Sequence, residues 1–472
     1  MNLIARHHRG LIALTGAVAL GIAGPAFAQP ATKRAAPPNP ADVLAAPAKP
    51  AGVKGRFSVV SVGDLLLARP QSATPDPEMH KVLDLIRTGD VAIANQEGMA
   101  FDLTTFGGTA YGPGGVLAQP GMAKDYKAMG LAMVSVANNH STDWGWEGLL
   151  ASLKLLDEAG VIHAGGGRNL TEARGAGFYA TPKGRVGLVA TASTFKVNAA
   201  ANDPANGVNG RAGISVLKTR TINLVTADQL AALKRVATER ASPLHPAPDP
   251  DAREFTFGDQ IYRLSPTPGL HYDMDLYDHA GLLTAVREAK AQSDLVVFHI
   301  HAHESPTGVD DDTPEPPDFL VTLFHNCVDA GADVIMGGGP HSLRGVEIYK
   351  GKPIFYGLGL FFFKPTLMGT PENMFRKFPD TGYRPEPDPR PHNPAGWYDS
   401  VLAITDFDGP KVKQVRLYPI DLANTAPAGS RGLPHLATGD RAREILARLQ
   451  SDSALFGTKI AIEGDIGLIR VP

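Results

Sequence analysis

The sequence predicts an α/β protein built on parallel strands, and three features of it carry that expectation. Short β-branched runs alternate with stretches of helical period, the order in which helices cross between parallel strands. Five of the runs end on Asp, Asn, Glu or His. Open sheets of this kind bind ligands outside the carboxyl ends of their strands, and scattered polar residues would not collect there five times.

The first run, residues 57–62, is a β-branched strand closed by Gly63-Asp64. Residues 91–94 lead into Asn95, Gln96 and Glu97, and residues 133–137 lead into Asn138, Asn139 and His140. Residues 295–300 feed His301, Ala302, His303 and Glu304, and residues 334–336 feed a glycine-rich loop ending in Pro340-His341. Helices are predicted over 78–87, 121–128, 146–159, 282–292 and 319–330, the last two stopping just ahead of the next strand. Two Pro-dense stretches, 243–269 and 365–394, are long for plain connections and are expected as insertions at the rim of a site. One domain is expected over 56–420, with 421–472 a C-terminal extension packed on it.

At the N-terminus, Arg6 and Arg9 precede an apolar run over 11–20, and Ala26-Phe27-Ala28 follows. That is the pattern of a secretory signal peptide over 1–28, cleaved before Gln29, which implies a periplasmic or secreted protein. The run falls short of the roughly 20 apolar residues a span requires, so membrane attachment is expected only if the signal is retained. Residues 29–55, rich in Pro and Ala, read as a disordered tether. The chain of 472 residues is 43% hydrophobic and 20% charged, ordinary for a protein with a sizeable core. Its formal charge of −3 falls to about −5 once Arg6 and Arg9 leave with the signal. No global basic field points to nucleic acid, whereas an anionic polymer held by a local basic patch, or a small-molecule substrate, stays compatible. Cys327 stands alone, so no internal disulfide is expected and the residue reads as a small buried one.

Hydrolases that use divalent metals need carboxylate, imidazole and carbonyl oxygen donors on rigid elements. Asp64 follows a glycine that allows a sharp turn, and Glu97 stands at the next strand end. Asparagine offers a neutral carbonyl oxygen, His140 can serve as acid or ligand, and Asp143 can orient the His140 ring. Ser141 or Thr142 is also placed to cap a helix. His299, His301 and His303 alternate, so an extended strand would put all three on one face. His299 lies inside the apolar run and reads as a satisfied core residue. His301 is the ligand choice, with His303 and Glu304 behind it or facing substrate. His341 follows a loop lean enough for close approach.

Taken in order, Gly63-Asp64, Asn95-Gln96-Glu97-Gly98, Ala137-Asn138-Asn139-His140 with Asp143 and Gly145, and His163-Ala164-Gly165-Gly166-Gly167 resemble the CapA family of capsule or poly-γ-glutamate synthesis. The likeness continues through His301 to Glu304, Gly331-Ala332-Asp333-Val334-Ile335, Pro340-His341 and Gly351-Lys352-Pro353-Ile354-Phe355-Tyr356. It implies a metallophosphatase-like (calcineurin-like) sandwich of two mixed β-sheets flanked by helices. By the same resemblance Asp64, Glu97, Asn139, His301 and His341 stand where metal ligands would be, and His140 where the catalytic acid would be. Asn95, His303 and Glu304 are expected beside them, facing substrate or supporting the ligands. The implied cofactor is one or two divalent ions, manganese, zinc or similar. The chain departs from the family at Gln96, at Gly338, where a histidine is usual, and at Gly357 and Leu360. The function implied is a metal-dependent hydrolase of a phosphoester or an amide, such as a γ-glutamyl linkage in an envelope polymer. A non-catalytic component that binds, anchors or exports an anionic capsule polymer, and a small-ligand binder, are the alternatives.

Overall fold

Alternation along the strands decides how the layers stack. In the strand Arg56–Leu67, Phe57 and Val59 face one way, Val60 and Val62 the other, and all four are buried. A strand buried on both faces needs a covering layer on each. The computed structural model, which describes residues 53–108, 116–308, 313–364 and 395–471, supplies those layers. Phe57, Val59, Val91 and Ile93 pack against Val186, Leu188, Leu295, Val297 and Val334 of a second sheet. Val60, Val62, Ala92 and Ala94 pack instead against the helices Pro77–Arg87, Met122–Met129 and Gly145–Ala159. On the far side, Val296, Phe298, Ile300 and Ile335 pack against the helices Leu276–Gln292 and Asp318–Ala330. The layers therefore run helices, sheet, sheet, helices.

Both large sheets are mixed. The first has ten strands, and its main path runs Ala461–Glu463, Ile466–Arg470, Lys411–Asp421, Asp399–Asp408, Arg56–Leu67, Val91–Gln96, Met133–Ser135, Ile162–Ala164. Arg56–Leu67 is parallel to Val91–Gln96 and antiparallel to Asp399–Asp408. The second runs Leu343–Tyr349, Lys352–Leu358, Val334–Gly338, Leu295–His301, Gly184–Ala192, Gly177–Thr181, with its four central strands parallel. The C-terminal helix Gly439–Ala454 puts Ala442, Ile445, Leu446 and Leu449 into the layer between the sheets.

Several elements differ from the sequence reading. Gly63-Asp64 does not close the first strand, which runs on through the apolar Leu65, Leu66 and Leu67. Its register shifts on either side of Asp64, a bulge that re-aims one side chain without ending the pairing. Gly63 is required there: a Cβ would sit 1.8 Å from the carbonyl oxygen of Gly359, which accepts the Asp64 N–H at 3.1 Å. The helix predicted from 282 begins at Leu276, because Asp275 caps it by accepting the amides of Tyr277 and Asp278. The stretch 243–269 carries the strands Glu254–Phe257 and Gln260–Leu264 of a separate four-stranded sheet with Thr219–Val225 and Gly269–Met274.

The expected signal peptide, the tether except residues 53–55, and the 365–394 insertion lie outside the described residues. Among the described residues no helix is long and apolar enough to cross a membrane.

Candidate metal centre

The carboxyl ends of three strands and the bulge inside Arg56–Leu67 bring polar side chains to one place between the sheets. Asp64 and Glu97 come from the first sheet, His301 from the second, and His341 from the loop after Val334–Gly338. The donor atoms of Asp64, Glu97 and His341 lie within 4.8 Å of one another, and so do those of Glu97, His301 and His303. Glu97 belongs to both groups. Its Oε1 is 3.3 Å from His341 Nε2, 3.8 Å from His301 Nε2 and 3.9 Å from His140 Nε2. His303, expected beside the ligands, stands among them, with its Nε2 3.1 Å from His301 Nε2.

A layer of amides holds these groups in place. Asn95 Nδ2 donates to Asp64 Oδ1 at 2.7 Å and meets His301 Nδ1 at 3.1 Å. Asn138 Nδ2 in turn donates to the carbonyl of Gln96 at 2.7 Å and reaches Asn95 Oδ1 at 3.3 Å. The amide of Gly339 donates to Asp64 Oδ2 at 3.0 Å, so the lean loop orients the carboxylate through its backbone. His341 is held with φ at 52°, a left-handed conformation unusual for a residue with a side chain and characteristic of constrained sites.

Burial and charge pull the two carboxyls apart. Burial, then the neighbouring Glu97, pushes Asp64 up to about 7. Burial would raise Glu97 as well, yet His341, His301 and His140 bring it well below the usual carboxylate range. Burial carries His301 well below the ordinary imidazole value, leaving it neutral and able to act as a ligand.

The donors suit a divalent ion. Glu97 Oε2 and Asn139 Oδ1 are buried without a hydrogen-bond partner among the described residues. Buried acceptors without donors are costly, and a cation answers several at once. Mixed carboxylate and imidazole donors fit manganese or zinc better than an all-oxygen cage would.

Beside the cluster, His140 Nδ1 is bound to Asp143 Oδ2 at 2.7 Å, which turns Nε2 toward Glu97. Burial works against the charged ring, but that hydrogen bond and the charges of Asp143 and Glu97 raise His140 above its ordinary value. Asp143 also accepts the amide of Val116 and pairs with Lys196.

Two expectations change at this level, at Ser141 and at His299. Ser141 caps no helix; its hydroxyl donates to the carbonyl of Val136 at 2.6 Å and accepts the Asn138 amide at 2.8 Å, tying the turn that presents Asn139 and His140. The helix begins later, at Gly145, with Trp144 as a cap that makes no side-chain hydrogen bond. Glu304 turns its carboxylate to the hydroxyls of Ser193 and Thr194 at 2.8 and 3.0 Å, and burial raises it. His299 is buried as expected but not satisfied, since its Nδ1 has no hydrogen-bond partner among the described residues. Lys196, Ser193 and Thr194 were missed because the apolar run over 184–192 had not been read as a strand. Applying the strand-end rule to it would have pointed to Ser193 and Thr194.

Two facing sheets with a buried carboxylate and imidazole cluster at their strand tips define a protein with a candidate metal centre. Residues 58–365 match the family described as bacterial capsule synthesis protein PGA_cap, and the chain belongs to that family. It is 35% identical over 443 residues to the uncharacterized protein y4sH of Sinorhizobium fredii, covering 88% of this chain and 93% of that one. To the capsule biosynthesis protein CapA of Bacillus anthracis it is 24% identical over 240 residues, 51% of this chain and 42% of the relative. To the PGA biosynthesis protein CapA of Bacillus subtilis it is 38% identical over 98 residues, 21% of this chain and 23% of the relative.

Proposed function

We propose that this capsule-family protein is a metal-dependent hydrolase, exported to the periplasm or beyond, with a metallophosphatase-like arrangement of its two sheets. Its substrate is a phosphoester or an amide, such as a γ-glutamyl linkage, in an anionic envelope polymer. One observation carries the reading: three imidazole nitrogens converge on Glu97 Oε1 within 3.9 Å while Glu97 Oε2 has no hydrogen-bond partner among the described residues.

Asp64, Glu97, His301, His303 and His341, with Asn139, would hold one or two ions. Bound manganese, zinc or a similar ion lowers the pKa of water and polarises a phosphoryl or carbonyl oxygen. Asn95 fixes the Asp64 carboxylate and the His301 ring in the same contact. His140, raised above its ordinary value and steered by Asp143, protonates the leaving group through Nε2. Lys196 stays beside this pair, where it offers a positive charge to an anionic substrate.

The direct test is turnover by the purified protein, loaded with each of several divalent ions, on phosphoester and γ-glutamyl substrates. Cleavage of either class is expected, and no turnover at full metal occupancy would count decisively against a hydrolase. A non-catalytic polymer-binding role is favoured by one feature, the absence of a side chain at Gly338. Its mark is binding of an anionic polymer that survives Asp64→Ala and His341→Ala.

A further inference from the structure

His299 is the buried group that the proposed chemistry leaves unused. It lies on Leu295–His301, where Leu295 and Val297 face the first sheet and Val296, Phe298 and Ile300 face the helices. By this alternation His299 shares the inward face with His301. Its neighbours on that face toward the start of the strand are apolar, and only the two nearest the site are imidazoles. The ring is 2% exposed, and Nδ1 finds no hydrogen-bond partner among the described residues. A phenylalanine or leucine would fill the same space without leaving a polar atom unanswered.

Gly338 shows where the ring is aimed. A Cβ built on Gly338 would meet Asp64 Oδ1 at 2.7 Å and His299 Nε2 at 3.1 Å. The carboxylate and the imidazole thus crowd against the same bare face of the backbone, and any side chain at 338 would compete with them for it. Gly338 is paired in register with His301 on the adjacent parallel strand, which puts this contact at the edge of the cluster.

We infer that His299 is a further imidazole of the metal centre, directed past Gly338 toward the ion held by Asp64. This rests on the metal-centre reading above. It makes His299 and Gly338 a matched pair: Leu295–His301 supplies the imidazole, and the last residue of the neighbouring strand Val334–Gly338 stays bare to admit it. The centre then draws two histidines from one strand, His299 on the Asp64 side and His301 on the Glu97 side.

Titration of the purified full-length chain with cobalt(II) tests this, following ion stoichiometry, affinity and the visible absorption of the bound ion. His299→Phe keeps the ring and removes both nitrogens. The expected result is loss of one equivalent of ion, or an affinity lower by about 10- to 100-fold, with a changed absorption band and an unchanged circular dichroism spectrum. Gly338→Ala, which puts a methyl group into the contact, is expected to weaken binding in the same way. If His299→Phe does not fold, His299→Gln takes its place, because Gly338→Ala also crowds Asp64 Oδ1. Cobalt binding by either folded variant that matches the wild type in stoichiometry, affinity and spectrum overturns the assignment of His299 and leaves the metal centre standing. A wild-type chain that binds no ion overturns both.

Discussion

Asp64 lies fully buried beside a second carboxylate, and its elevation to about 7 has a consequence for stability. The folded chain without metal holds a proton there that the unfolded chain releases near 3.8. Its contribution is therefore complete below that value and is lost as pH rises through about 7, at up to about 1.4 kcal/mol per pH unit. Glu97, held low, works in the opposite sense, losing its contribution as pH falls below its ordinary value of 4.5. Between about pH 4.5 and 7 the Asp64 effect acts unopposed by Glu97. Buried His299 and His301, held neutral, drive stability the other way below about 6.5, so the loss is read as the part of the pH dependence in denaturant melts of metal-free protein that Asp64→Asn removes. A saturating divalent ion should remove it too, because a cation stabilises the ionised form. His140 gives a second prediction at this scale. His140→Asn should lower kcat by about 100- to 10,000-fold while bound metal, measured on the same samples, stays unchanged. The candidate residues themselves were legible in the sequence because each follows an apolar run, as Glu97 follows 91–94. Lys196 was not, since a lysine four residues past a strand carries no periodic signal and gains meaning only from its contact with Asp143.

Strand ends do most to build the centre, and their precision depends on backbone contacts more than on the donors. The bulge at Asp64 rests on Gly63 lying against the Gly359 carbonyl. Gly63→Ala forces that approach apart and should cost at least about 1–3 kcal/mol in a denaturant melt, with metal affinity falling alongside. The turn after Met133–Ser135 depends in the same way on one buried hydroxyl, that of Ser141. Ser141→Ala leaves the Asn138 amide and the Val136 carbonyl without that partner, and about 1–3 kcal/mol of destabilisation is expected. Element positions were largely readable from apolar period and breakers. Their exact limits were not: the Leu276–Gln292 helix starts early because of a single capping aspartate, and Arg56–Leu67 passes through a Gly-Asp pair that usually marks a turn.

At the scale of the molecule, the site exists because two sheets face each other and each supplies part of it. Asp64 and Glu97 come from one, and His301, His303 and His341 from the strands and loops of the other. Composition and period alone could not divide the strands between two sheets, because a strand buried on both faces reads the same whatever covers it. The resemblance to a family supplied that step in advance, and the core packing shows it directly. Strands at the C-terminus join the ten-stranded sheet, and Leu446 of the last helix is fully buried between the layers. Leu446→Ala should therefore destabilise the whole fold by about 2–5 kcal/mol, read from a thermal or denaturant melt. An ion that binds only the folded chain should raise the melting temperature with concentration. The central claim is that Glu97, shared by both donor groups, anchors a divalent ion between the sheets. Calorimetric titration of metal-free wild type and Glu97→Gln with manganese tests it most directly. At least one ion should bind per wild-type chain, and the variant should lose at least about 100-fold in affinity. Equal binding by the two proteins, or none by the wild type, would contradict it.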